Sequence, residues 1–175
     1  MGDLLFNFTE WLRSTPLTEL SLWIGETSLS LWLVERFWAI PIIQVVHILA
    51  IGASFGAVLM LNLRIFGRAG MDRTMAETEA RYMPWIWWSL VVFALSGLLL
   101  IVAEPIRELI NPIFWIKMVL VAVAVLTTLL FHRRAVRPLS RGGEPTGSVK
   151  AGAVFVIILW CVIILCGRWI AYAPV

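Results

Sequence analysis

Two histidines, His47 and His132, are the only imidazoles in the chain, and both belong to long apolar runs. A titratable side chain at membrane depth is costly to keep and marks a functional site by default. An imidazole there has two uses. Its ring nitrogen can ligate a metal or a haem iron, or it can hydrogen-bond a hydroxyl or carbonyl of a neighbouring span and so fix helix packing. For His132 a third use exists, because Arg133 and Arg134 follow it and place it at headgroup level, where it can be solvated.

Depth decides which ligand pairs are conceivable. With span centres near residues 51 and 123, His47 lies about 6 Å to one side of the midplane and His132 about 13 Å to the other, at 1.5 Å per residue. One iron needs both axial ligands at nearly one level, so a gap of roughly 19 Å disfavours a single bis-histidine haem. Methionine is the other common axial partner. Met118 lies about 7 Å out on the His47 side and Met60 about 13 Å out on the His132 side, so His47 with Met118 and His132 with Met60 define two permissible layers. Core filling is the alternative role for both methionines. Arg168 and Lys117 are cations near the level of His47 and could pair with haem propionates, a quinone or another anionic ligand, although Arg168 beside Trp169 and Tyr172 also suits an interfacial anchor. Trp160, near the middle of its run, either stacks on a flat ligand or faces lipid.

These residues require long helices to position them. The stretch 39–66, AIPIIQVVHILAIGASFGAVLMLNLRIF, is long enough to span a bilayer, and Gln44, His47, Ser54 and Asn62 recur on one face that should look into protein. A second face, Gly52 and Gly56 with Ala53 and Ala57, offers close approach to another helix, within the bundle or across a dimer. Four spans follow from hydropathy, at about 39–63, 83–103, 113–132 and 151–171. Pro84 opens the second, and Glu104-Pro105 closes it. Residues 134–150 read as a mobile loop. Residues 1–36 keep their apolar side chains at helical steps but carry Glu10, Glu19, Glu26 and Glu35, which suits interfacial amphipathic helices broken at Ser14-Thr15-Pro16. Residues 27–37 can alternatively prolong the first span. The expected fold is all-α, a single membrane domain over residues 1–175 built as a four-transmembrane-helix bundle.

Composition agrees. Of 175 residues, 61% are hydrophobic and 14% charged, which excludes an ordinary water-soluble domain. The net charge of +3 comes from arginines and lysines in loops, so it is a topology feature and nucleic acid is not expected as a partner. Nine basic residues fall in the two loops joining spans one to two and three to four, against five on the other side. The positive-inside rule then puts both termini outside, in the periplasm of a bacterium, with the protein multi-pass in the inner membrane. Cys161 and Cys166 sit about 140° apart round one helix, which argues against a disulfide or thiolate metal site and for buried inert thiols. The start lacks the basic and long apolar regions of a cleavable signal peptide. No nucleotide-binding, hydrolase-elbow or zinc-protease motif occurs, and no acidic residue lies well inside a predicted span.

The stretches VVHILAIGASFGAVLMLNLRIFG, NPIFWIKMVLVAVAV, TTLLFH and GRWIAY, with the opening TEWLRSTPL, resemble a family of small uncharacterised bacterial four-helix inner-membrane proteins. More remotely, a membrane histidine followed by small residues and a basic end, then a lysine-containing third span, is similar to HemJ-type protoporphyrinogen oxidases, copper-resistance D-type proteins and cytochrome b-type four-helix proteins. That resemblance implies haem b, with His47 as its ligand and Lys117 as a site residue. The expected function is therefore electron transfer through haem b to or from a quinol pool or a partner redox protein, in contact with the lipid bilayer. Two alternatives of other classes are a cofactor-free accessory subunit or homo-oligomer, and a porphyrinogen oxidase or copper-handling protein.

Overall fold

The computed structural model describes residues 2–172, and no strand occurs among them. Helices α1 (Gly2–Arg13), α2 (Leu17–Gly25) and α3 (Ser28–Glu35) precede the long α4 (Ala39–Ile65) and α5 (Met75–Ala103). The short α6 (Pro105–Leu109) leads to α7 (Pro112–Phe131), which continues through one π turn (His132–Val136) into α8 (Arg137–Ser140). Last comes α9 (Gly147–Trp169), closed by a 3-10 turn (Ile170–Tyr172). Four of these helical stretches, Ala39–Ile65, Met75–Ala103, Pro112–Ser140 and Gly147–Trp169, are long and apolar enough to cross a membrane. Their surfaces carry Ile48, Leu49, Leu95, Val119, Leu126 and Leu165, each more than half exposed, a covering that lipid tolerates and water does not. This is a multi-pass, all-α membrane protein.

Several boundaries differ from the hydropathy reading, each for a local reason. Helix α3 is separate and does not prolong the first span, because Arg36 adopts an extended conformation (φ −101°, ψ 103°) between it and α4. Helix α5 starts two turns before residue 83, at a capping box. Thr74 Oγ1 accepts from the Glu77 N–H at 3.2 Å, and the Glu77 carboxylate accepts from the Thr74 N–H at 2.7 Å. Pro84 is consequently inside α5 and does not begin it. The third span runs on to Ser140, since a π turn absorbs the change of register that would otherwise end it, and residues 134–140 are helix instead of loop.

The chain forms two compact units. The first comprises Met1–Leu49, Val92–Val119 and Leu165–Val175, the second Ala50–Val91 and Leu120–Ile164. In the first, Leu109, Ile113, Phe114 and Ile170 form a core flanked by Leu5 and Ile24, and a smaller cluster joins Leu33, Ala39 and Ala103. Asn111, fully buried, organises this unit. It caps α7 by accepting the Ile113 N–H at 2.9 Å with Pro112 as the first helical residue, and it donates to the Ile170 carbonyl at 3.3 Å. In the second unit Ala57, Val58, Leu61, Met83, Ile86, Val156 and Trp160 form the core, with Ile65, Val136 and Leu139 in a neighbouring cluster. Trp160 is thus 5% exposed and faces protein, not lipid.

The close-packing glycines are not the expected pair. A methyl group added at Gly52 or Gly56 would meet nothing within 4 Å, so neither glycine makes a close contact among the described residues, although Ala57 of the same face is buried in the core. Close approach occurs at Gly97 and Gly152, where an added carbon would sit 3.2 Å from the His47 ring and 2.8 Å from the Phe131 ring, respectively. Cys161 is exposed and Cys166 half-buried, both free, so neither is the fully buried thiol that the apolar run suggests.

Replacing Asn111 by alanine strands one backbone N–H and one carbonyl in a dry core. We expect Asn111→Ala to cost about 1–3 kcal/mol, read as an earlier midpoint in detergent denaturation of the purified chain.

Candidate functional site

His47 sits on α4 with its imidazole turned towards α5. Its ring packs on Phe93 at 4.5 Å between centroids, and Gly97 leaves the room for its edge. Nδ1 lies 2.9 Å from Ser96 Oγ. The serine settles the tautomer. Its single hydroxyl hydrogen is shared between the carbonyls of Val92 (2.7 Å) and Phe93 (3.1 Å), neither of which can donate. All three contacts are satisfied together only when the Nδ1–H of His47 donates to the serine oxygen. Nε2 then carries the lone pair. A ring held by its other nitrogen in this way is the arrangement expected of a metal-ligating histidine.

The cations named from sequence are arranged around this first unit. Lys117 lies over the Phe114 ring, 5.4 Å from its centroid, and its Cδ is 4.0 Å from where a side-chain carbon at Gly167 of α9 would sit. Glu108, on α6, is half-buried. Burial raises its carboxyl above the ordinary value, while Lys117 and Arg107 pull it back. Arg107 itself pairs with Glu104 at 2.8 Å. Arg168 is exposed, donates to the Tyr172 hydroxyl at 2.7 Å and lies 5.0 Å from that ring. Met118 is 42% exposed on the surface of α7. Of the polar face of α4, Ser54 and Asn62 are buried and His47 is half-buried, whereas Gln44 is exposed, so only part of that face looks into protein.

His132 lies in the second unit and is neither solvated nor isolated. Its Nε2 donates to Glu79 at 2.5 Å, and both side chains are less than one-fifth exposed. The other carboxylate oxygen accepts from the Ser140 hydroxyl, which also reaches the Val136 carbonyl at 3.0 Å. The π turn that opens at His132 brings that ring and Ser140 onto one acidic partner while Ala135 and Val136 stay buried. His132 also lines a small cavity with Asn62, Thr128 and Phe131, and Met60 is not among the lining residues.

Chemically the two arrangements differ. His47 presents one neutral nitrogen lone pair held by a serine, whereas the Nε2 of His132 is committed to a carboxylate. No group of three or more histidine, cysteine or acidic side chains able to hold a metal ion occurs among the described residues. A bare copper or zinc ion needs such a set. An iron porphyrin does not, because it brings four nitrogens and takes only one or two ligands from protein.

The model of a family of unknown function, DUF6644, matches residues 23–173 of this chain. The chain belongs to that family. Neither a curated protein nor a solved structure matches it. The DUF6644 match takes in His47, Ser96, Lys117, Glu79, His132 and Ser140. Ser96, Phe93, Gly97 and the Glu79–Ser140 bond were not foreseen from sequence. Only Glu79 had a readable signal there, the Thr74–Glu77 capping box that carries α5 past it.

Glu79→Ala leaves the His132 N–H and the Ser140 hydroxyl without their shared acceptor. We expect a loss of about 1–3 kcal/mol in detergent unfolding and a smaller loss for Ser140→Ala, whose partner keeps His132.

Proposed function

We propose that this protein is a haem b-binding membrane protein of the cytoplasmic membrane that passes electrons between a quinol pool, or a partner redox protein, and an acceptor. The observation that carries the reading is the His47–Ser96 hydrogen bond, which leaves Nε2 of a half-buried imbedded imidazole as a lone-pair donor. Ser96 holds the ring plane and the tautomer, and the Gly97–Phe93 surface of α5 holds its rotation. Lys117, and Arg168 beside the Gly167 that the lysine stem approaches, would supply positive charge for carboxylates of a bound porphyrin or for another anionic ligand. The bound iron would supply one-electron chemistry, and the protein supplies the ligand, the charge complement and the exclusion of water. By the positive-inside rule the two arginine-rich loops, Arg64–Arg81 and Arg133–Lys150, would face the cytoplasm. The resemblance to cytochrome b-type and HemJ-type proteins supports the same cofactor.

A specific observation favours one competitor. Both histidines bond a partner on another helix, His47 to Ser96 and His132 to Glu79, which is also what a cofactor-free accessory subunit would use them for. The visible spectrum separates the two. Purified chain from haem-sufficient cells should show a b-type α band on reduction, with a pyridine haemochrome of about one haem per chain expected from the single uncommitted imidazole of His47. His47→Ala should abolish the band carried by that site, and Ser96→Ala should keep the fold but weaken haem retention on the order of 10–100-fold. A colourless wild type overturns the proposal. A band lost with His132→Ala and kept with His47→Ala moves the ligand to the second unit.

A further inference from the structure

The second unit contains polar atoms that its own helices leave unanswered. Several buried hydroxyls turn back on their own helix, although that of Ser54 also lacks a partner. Thr9, Ser21, Ser89 and Ser96 each donate to the carbonyl four residues earlier. Thr128, 7% exposed, does not, and its Oγ1 meets no hydrogen-bond partner. Asn62, 2% exposed, is in the same position. Its Nδ2 donates to the Val58 carbonyl at 2.9 Å, which fixes the amide orientation, because the reverse would set two oxygens together. Oδ1 is the atom left without a partner.

Both side chains line one cavity of about 20 Å³, together with His132 and the apolar Met83, Ile86 and Val156. A cavity of about 10–15 Å³ or more admits one water, provided that at least two polar groups receive it. Here the wall offers an amide oxygen that can only accept and a hydroxyl that can donate or accept, with His132 as the third polar side chain. A purely apolar ligand would leave both oxygens dry. We propose that this cavity is an internal water site: one water donates to Asn62 Oδ1 and exchanges a hydrogen bond with Thr128 Oγ1. It joins α4 to α7 beside the imidazole that Glu79 holds, so that the His132 ring of the half-buried Glu79–His132 pair borders internal water instead of hydrocarbon. The inference is independent of the haem reading.

Radiolytic hydroxyl-radical labelling of the full chain in lipid nanodiscs tests it, because a bound water split in place labels the side chains it touches even when they are buried. Met83 lines the cavity at 8% exposure, and Phe114, at 5% exposure, belongs to the other unit. After correction for intrinsic reactivity, Met83 should be labelled several-fold faster than Phe114. Thr128→Val, nearly isosteric, should slow Met83 labelling and lower the thermal midpoint, and Asn62→Leu with Thr128→Val should bring labelling down to the Phe114 level. If the double variant fails to fold, the wild type and Thr128→Val still decide. Met83 labelled no faster than Phe114, labelling unchanged in Thr128→Val, or a Thr128→Val protein more stable than the wild type would each overturn the proposal. The last is what a dry, unsatisfied hydroxyl predicts.

Discussion

In hydrocarbon a polar side chain has no water to fall back on, so each one that enters a span must find its partner in protein. That requirement organises this molecule. Asn111 caps one helix and ties the Ile170 carbonyl, His47 gives its N–H to Ser96, and Glu79 collects both His132 and Ser140. Between these contacts the interior is built mainly from apolar side chains, aliphatic ones with Phe114, Met83 and Trp160. Van der Waals packing alone specifies helix register weakly when lipid is as apolar as the core. The polar contacts supply the missing specificity, since a slipped helix would leave a donor or an acceptor unanswered.

The two histidines illustrate how a partner decides chemistry. Both are half-buried imidazoles on long helices, yet they are held in opposite senses. Ser96 accepts from Nδ1 and leaves Nε2 basic, whereas Glu79 takes the Nε2 hydrogen and makes that ring part of a carboxylate cluster. A hydroxyl that is already donating elsewhere is a neutral acceptor, and it holds a ring without charging it. A carboxylate adds a charge that must itself be kept solvated or bonded, which Ser140 helps to do. The contrast leaves an uncommitted ring nitrogen in the first unit and a charged cluster in the second.

The departures from regular helix fall at these contacts. The only π turn among the described residues begins at His132, and α5 gains its first turns from the Thr74–Glu77 box two residues before Glu79. An extra residue in a helical turn costs hydrogen-bond geometry. Here it coincides with the residues that meet the acidic side chain, and the aliphatic stretches of α4, α7 and α9 run without such a defect.

By itself the sequence determined the class of the protein, the number of spans and the two histidines as residues of interest. Hydropathy over windows of about 20 residues and the placement of arginines are local properties, and they survive any arrangement of the helices. It also carried the breaks at Ser14–Pro16 and Glu104–Pro105, because proline acts on its own backbone. Tertiary structure decided what each polar residue does. Which hydroxyl meets His47, whether Glu79 lies in a loop or beside an imidazole, and whether Gly52 or Gly97 is the point of close approach depend on which helix faces which, across about 50 residues of chain in the histidine contacts. No periodicity within one helix encodes the rotation of its neighbour. Pairing of buried donors and acceptors selects it where the partners lie on different helices, as for His47 with Ser96 and His132 with Glu79.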